Sequence, residues 1–289
     1  MRVAGRWGWF ILLFVLAALP VWGAAHPEWT TPIKPFKIAG NLYYVGSEDL
    51  ASYLIVTPAG NILINSNLAS SPKQIAASIE ALGFHYKDTK ILLISHAHFD
   101  HCAGSAQVVR ETGAKYMVMD ADVPVVESGG LKDFAYGNDA TSHYPAAKVD
   151  RALHDMDTVE LGGTVLTAHK TAGHTRGTTT WTLDEVEDGK TLHVVIVGSP
   201  NVNPGYKLVG NTAYPEIATD YEHGFATMLA LPCDIFLGAH GGYLDMKSKL
   251  KRLKAGKKDV FIDPAGYKEY ITEREAAFKR ELARQQGGA

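Results

Sequence analysis

Ile91-Leu92-Leu93-Ile94-Ser95-His96-Ala97-His98-Phe99-Asp100-His101 is an apolar run that ends abruptly in three histidines and an aspartate. No other stretch of the 289 residues gathers so many metal-competent side chains. Ile91 to Ile94 is short, branched and bounded by polar residues, the signature of a buried strand. On its extended continuation side chains alternate faces, so His96 and His98 point the same way, and a following turn brings Asp100 and His101 round. Imidazole and carboxylate suit zinc, and a catalytic zinc takes three protein ligands and keeps one position open. Four such groups exceed the share one ion usually takes from one segment, so the segment reads as shared by two adjacent metals. Surface histidines at a polar strand end are the plain alternative, and the spacing speaks against them.

Outward from this stretch the chain alternates strands and helices. Asn41–Val45, Ser52–Thr57 and Asn61–Asn65 read as a strand meander. Ser71-Pro72 opens a helix whose Ile75, Ile79 and Leu82 recur at helical spacing, with Gly83 as its stop. A helix is expected from about Ala103 to Thr112, then a strand over Tyr116–Met119. Strand, helix, strand, helix order at these intervals indicates an α/β fold, with helices packed outside a sheet. The glycine-rich, aperiodic segment Ser128–Asn138 is the candidate mobile loop over a site, with Lys132, Phe134 and Tyr136 as candidate lining residues.

The second half repeats the style. The pair Gly162-Gly163 marks a hairpin within Asp157–Thr167, and strands are expected at Thr178–Leu183, His193–Val197 and Asp234–Leu237, with a helix over about Ile217–Leu231. Two further histidines stand in glycine-rich strand ends, His174 in Ala172-Gly173-His174-Thr175 and His240 in Gly238-Ala239-His240-Gly241. The histidines at 26, 85, 143, 154, 169, 193 and 223 lack such company and read as surface or structural residues.

Composition narrows the class. A hydrophobic share of 46% with 20% charged residues describes a globular chain, and no repeat or low-complexity tract interrupts it. Residues 1–25 carry Arg2 and Arg6, an apolar core from Trp9 to Leu19, Pro20 and then Gly23-Ala24-Ala25, the layout of a secretory signal peptide cleaved after Gly23 or Ala25. An uncleaved anchor is the competing reading, but the apolar core is shorter than an ordinary membrane span. Residues 26–289 are expected to form a single domain, periplasmic or secreted. The net charge of −3 falls to −5 without Arg2 and Arg6, which argues against nucleic acid as a partner. The one basic run, Lys247 to Lys258, reads as a solvated helix face. Cys102 and Cys233 are two thiols rather than a disulfide scaffold, and Cys102 is not needed as a zinc ligand where nitrogen and oxygen donors suffice.

Taken together, His96-x-His98-x-Asp100-His101, Gly173-His174-Thr175 and Ala239-His240-Gly241 resemble the metallo-β-lactamase superfamily over about Trp29 to Lys258. The resemblance implies an αββα sandwich with its site at one edge between two sheets. It implies two Zn2+ per subunit, the first on His96, His98 and His174 and the second on Asp100, His101 and His240. It further implies a zinc-bound hydroxide, since zinc lowers the pKa of water from 15.7 toward ~7. Asp100 is then the catalytic residue that orients this nucleophile. Thioesterase and glyoxalase-like members carry a bridging aspartate in a Gly-Asp pair where this chain has Gly198-Ser199. His96, His101 and the absence of a cysteine near Ser199-Pro200 are similar to subclass B3. The expected function is a metal-dependent β-lactamase acting on penicillins, cephalosporins and carbapenems, as a monomer. Another hydrolase of the same fold, such as a lactonase, and a non-catalytic secreted zinc-binding protein are the alternatives. Members of the subclass often bind the substrate carboxylate through loop serines; Asn201 and Asn203 stand in that loop here and, with Phe134, are the candidate substrate contacts.

Overall fold

A computed structural model describes residues 26–287, so the leader reading of residues 1–25 lies outside the described residues. The apolar run becomes strand β5, Thr89–Leu93, inside a seven-stranded sheet. That sheet begins with the meander β1 (Phe36–Ala39), β2 (Leu42–Tyr44), β3 (Tyr53–Thr57) and β4 (Gly60–Ile64), each antiparallel to the next. From β4 onward pairing is parallel, through β5 and β6 (Lys115–Met119) to β7 (Arg151–Leu153). A parallel strand needs cover on both faces, and β5 shows the reason in its residues. Ile91 and Leu93 enter the core between the sheets, whereas Leu92 and Ile94 pack outward against Ile75, Ile79 and Val108 of helices Pro72–Ala81 (α1) and Ser105–Thr112 (α3).

A second sheet of five strands faces the first. It comprises β8 (Thr158–Leu161), β9 (Thr164–Lys170), β10 (Thr179–Glu187), β11 (Lys190–Val197) and β12 (Ile235–Gly238), ordered β12-β11-β10-β9-β8. Leu166, Trp181, Leu183 and Ile196 meet Tyr53, Ile55, Ile64 and Leu93 in one core. Its far side is covered by helices Ile217–Ala230 and Pro264–Gly287, with Phe225 and Phe278 5.7 Å apart between them. The layers are therefore helix, sheet, sheet, helix: the αββα sandwich.

Several local expectations change. The helix expected from Ala103 begins at Phe99 as a single turn, Phe99–Cys102 (α2), and resumes at Ser105 after Gly104 turns to donate to Asn67 O. Asp100 and His101 thus stand on helical backbone. Helix Pro264–Gly287 has no counterpart among the expected elements, because it buries only Tyr267, Ile271 and Phe278 over 24 residues, too sparse for a clear apolar stripe. The basic run forms helix Met246–Lys254, but Lys249 is buried and donates to Val260 O and to Asp263, so one of its charges serves the fold instead of the surface. Both cysteines are free. Among the described residues no helix is long and apolar enough to cross a membrane.

The strand that carries the histidines is tied across the core by Trp181, whose buried Nε1 donates to Ile94 O at 3.0 Å. Trp181→Phe keeps most of the apolar mass and leaves that carbonyl unpaired. A loss of about 1–3 kcal/mol in urea unfolding is expected; a loss below about 0.5 kcal/mol would show that the tie carries no weight.

Candidate metal centre

Every proposed ligand comes from the same edge of the sandwich. His96 and His98 lie just beyond β5, Asp100 and His101 on α2, His174 in the turn between β9 and β10, and His240 just after β12. Backbone pairing joins the sheets at this edge: Leu50 bridges to His240, Ala51 N donates to Ala239 O at 3.0 Å and Gly241 N to Asp49 O at 2.6 Å. The His174 turn depends on a glycine. Gly173 has φ +128°, and a Cβ there would fall 2.6 Å from the Tyr221 ring, so close packing and a positive φ both exclude a side chain.

The donor atoms converge in two groups. Ligand atoms of His96, His98 and His174, all buried, lie within 4.8 Å of one another. His101 Nε2 lies 3.1 Å from His240 Nε2 and 3.2 Å from Asp100 Oδ2, which is 3.5 Å from His240 Nε2. A set of His96, Asp100 and His101 also falls within 4.8 Å, so His96 stands between the two groups. Two imidazole nitrogens directed at one point beside a carboxylate oxygen form a donor set made for a cation. Chemistry and geometry therefore fit zinc, which takes nitrogen and oxygen ligands in such sets.

Second contacts fix which nitrogen faces inward. Ser95 Oγ lies 3.1 Å from His96 Nδ1. His174 Nδ1 donates to Asn201 O at 2.8 Å, and His240 Nδ1 to Asp49 Oδ2 at 2.8 Å. Their Nε2 atoms are left for a metal, the arrangement by which outer groups set the ring and tautomer of a ligand. Burial pushes His96 and His174 well below the ordinary imidazole range, so both are neutral. Burial alone would raise Asp100, but His101 and His240 hold it well below the usual carboxylate range.

Asp122 locks the two sheets' contributions together. Its Oδ2 accepts from Ala97 N at 2.9 Å and from Thr175 Oγ1 at 2.7 Å, and its Oδ1 from Gly177 N at 2.9 Å. One buried carboxylate thus spans the His96-x-His98 segment and the His174 turn. Burial pushes Asp122 up to about 6, against these three donors.

His98, Asp100, His174 and His240 line an open cavity of about 460 Å3, while His96 and His101 are fully buried. Asn201 and Asn203 both line it, and each amide is held by a tyrosine: Asn201 Nδ2 donates to Tyr243 OH and Asn203 Nδ2 to Tyr136 OH, both at 3.0 Å. Phe134 does not reach the cavity. Its ring packs on Tyr206 and Tyr214 at 5.1 and 5.0 Å, because burying an aromatic face there outweighs exposing it; Asp133 and Tyr136 of the same loop line the wall instead. Trp29, Asp49, Asp133 and Tyr243 are site residues that the sequence reading did not single out. Their partners lie far away in sequence, 191 residues for Asp49 and His240, so no local spacing marks them.

With this geometry established, comparison with known proteins places the chain. A family model described as the metallo-beta-lactamase superfamily matches residues 50–193. The FEZ-1 metallo-β-lactamase of Legionella gormanii is 57% identical, with a TM-score of 0.88 over 89% of this chain and 98% of that one. A class B3 di-zinc metallo-β-lactamase, LRA-12, from an Alaskan soil metagenome is 38% identical, with a TM-score of 0.84 over 88% and 96%. BJP-1, a subclass B3 metallo-β-lactamase of Bradyrhizobium japonicum, is 35% identical, with a TM-score of 0.85 over 91% and 99%. A curated metal-dependent hydrolase of Anaeromyxobacter dehalogenans is 28% identical over 50% of this chain, which spans about half, 51%, of that relative. The chain belongs to the metallo-β-lactamase superfamily and, within it, to the class B3 branch.

Asp122→Asn sets an amide N–H against a backbone or hydroxyl donor. It is expected to cost about 1–3 kcal/mol in unfolding and to lower the metal retained after dialysis; unchanged metal content would show that the ligand segments hold their places without Asp122.

Proposed function

We propose that this protein is a zinc-dependent β-lactamase of broad range, acting on penicillins, cephalosporins and carbapenems after export to the periplasm or beyond. The observation that carries this reading is the convergence of five histidines and Asp100, four of these six groups (His98, Asp100, His174 and His240) lining one open cavity. The likeness to three solved metallo-β-lactamases over most of the chain supports it. So does Ser199 in place of a bridging carboxylate, which leaves the donor set less anionic. We assign His96, His98 and His174 to one zinc and Asp100, His101 and His240 to a second. Residues 26–289 act as one catalytic domain behind a removable leader, residues 1–25.

Zinc, when bound, supplies Lewis acidity and makes a water acidic enough to react at neutral pH. The chain's own residues do the rest. A water oxygen adds to the lactam carbonyl carbon, the carbon–nitrogen bond breaks, and the ring nitrogen takes up the proton that the water gives. We assign that proton's transfer to Asp100 Oδ1, since Oδ2 is engaged by His101 and His240. No lysine or arginine lines the cavity among the described residues, so the substrate carboxylate is met by neutral donors, Asn201 and Asn203 with Tyr136 and Tyr243. Trp29 and Phe99 form the apolar side of the entrance.

Secreted protein assayed with a chromogenic cephalosporin, a penicillin and a carbapenem is expected to turn over all three, to lose activity to a chelator and to regain it with zinc. Turnover of lactones alone would assign the lactonase reading, and zinc uptake without any turnover the non-catalytic one. Mass spectrometry of the secreted protein is expected to show an N-terminus near Ala24 or His26.

A further inference from the structure

A metal-binding imidazole needs a partner for its other nitrogen, and His96, His174 and His240 have theirs in Ser95, Asn201 and Asp49. Those partners sit on or beside the strand ends. His98 and His101 differ, since His98 Nε2 and His101 Nδ1 make no hydrogen bond, but His98 Nε2 faces Asp133 Oδ2 at 3.5 Å. Asp133 belongs to loop 128–138, which borders the cavity.

The loop is built to deliver that oxygen. Gly129 and Gly130 turn the chain with φ of +68° and +92°, and a Cβ on Gly129 would meet Tyr144 O at 2.3 Å. Asp133 N donates to Gly130 O at 3.0 Å. Asp133 Oδ1 then accepts from Ala135 N and Tyr136 N, both at 2.7 Å, which folds the loop around the carboxylate. Its side chain is only 4% exposed, although the loop on either side is largely open to solvent. The two oxygens divide the work, one holding the loop and one facing His98.

We propose that Asp133 is a positioning residue for the His96, His98 and His174 metal site. It fixes the Nε2–H tautomer of His98, which leaves Nδ1 as the ligand atom, and it couples metal uptake at that site to the order of loop 128–138. Coupling of this kind is reciprocal: whatever the metal does for the loop, the loop does for the metal. The inference rests on the assignment of zinc to these histidines.

Asp133→Asn separates the two oxygens. An asparagine keeps an acceptor for Ala135 and Tyr136 and turns the other atom into a donor facing the His98 N–H. Metal-stripped protein is titrated with zinc against a chromophoric chelator in a His240→Ala background, so that uptake is read at the first site. Asp133→Asn is expected to weaken that uptake by about 10–100-fold. Hydrogen exchange at the Ala135 and Tyr136 amides is expected to slow when the parent binds zinc. In Asp133→Asn the metal-free exchange is expected to match the parent, and the slowing with zinc to disappear. Asp133→Ala, which lacks both contacts, is expected to speed exchange even without zinc and to weaken uptake at least as much. Zinc uptake by Asp133→Asn within about twofold of the parent, or undiminished slowing with zinc, overturns the inference and leaves the zinc assignment standing. A parent that binds no zinc overturns the assignment itself, and this inference with it.

Discussion

Five imidazoles and a carboxylate pressed within a few ångströms of one another do not gather unaided. Burial disfavours charge on most of them, and neutral imidazoles offer one another little attraction, so the backbone must hold them. Here it does so with strand ends. His96, His98, His174 and His240 stand where a strand or its short continuation reaches the rim of the sandwich, Asp100 and His101 follow on α2, and the His174 and His240 rings are turned by partners in the same rim. Cores on both sides of the first sheet, rather than any contact within the cluster, therefore set the ligand spacing. Trp181 and Asp122 carry that constraint across the seam, one from the core and one from the site.

Much of this was legible in the order of residue types. The abrupt passage from Ile91–Ile94 to His96-x-His98-x-Asp100-His101 marked a buried strand and the donor cluster at its end, because a short branched apolar run bounded by polar residues reads as a strand of the interior. The alternating burial of β5, with Ile91 and Leu93 on one side and Leu92 and Ile94 on the other, explains why the run shows no polar alternation. Gly173 and the turns around His174 and His240 were equally readable.

What stayed hidden was set by contacts between distant residues. Asp49 and Asp122 look like ordinary surface acids until β12 and the His174 turn come alongside them. Phe134 seemed suited to a substrate pocket by its neighbours in sequence, yet Tyr206 and Tyr214 claim its ring from seventy and more residues away. Lys249 hides in a basic run for the same reason, since Asp263 lies beyond the end of its helix. Periodicity reads a helix face; it does not read what another segment brings to that face.

The seam between the sheets gives the centre a further character. His96, His98, Asp100 and His101 ride on one sheet, His174 and His240 on the other, and the pairing of Leu50 with His240 is where the two meet. Any slip of one sheet over the other is read directly as a change in ligand separation. The cluster thus works as a gauge of intersheet registry, and repacking deep in the core, far from the cavity, is felt first as altered spacing of the donor atoms.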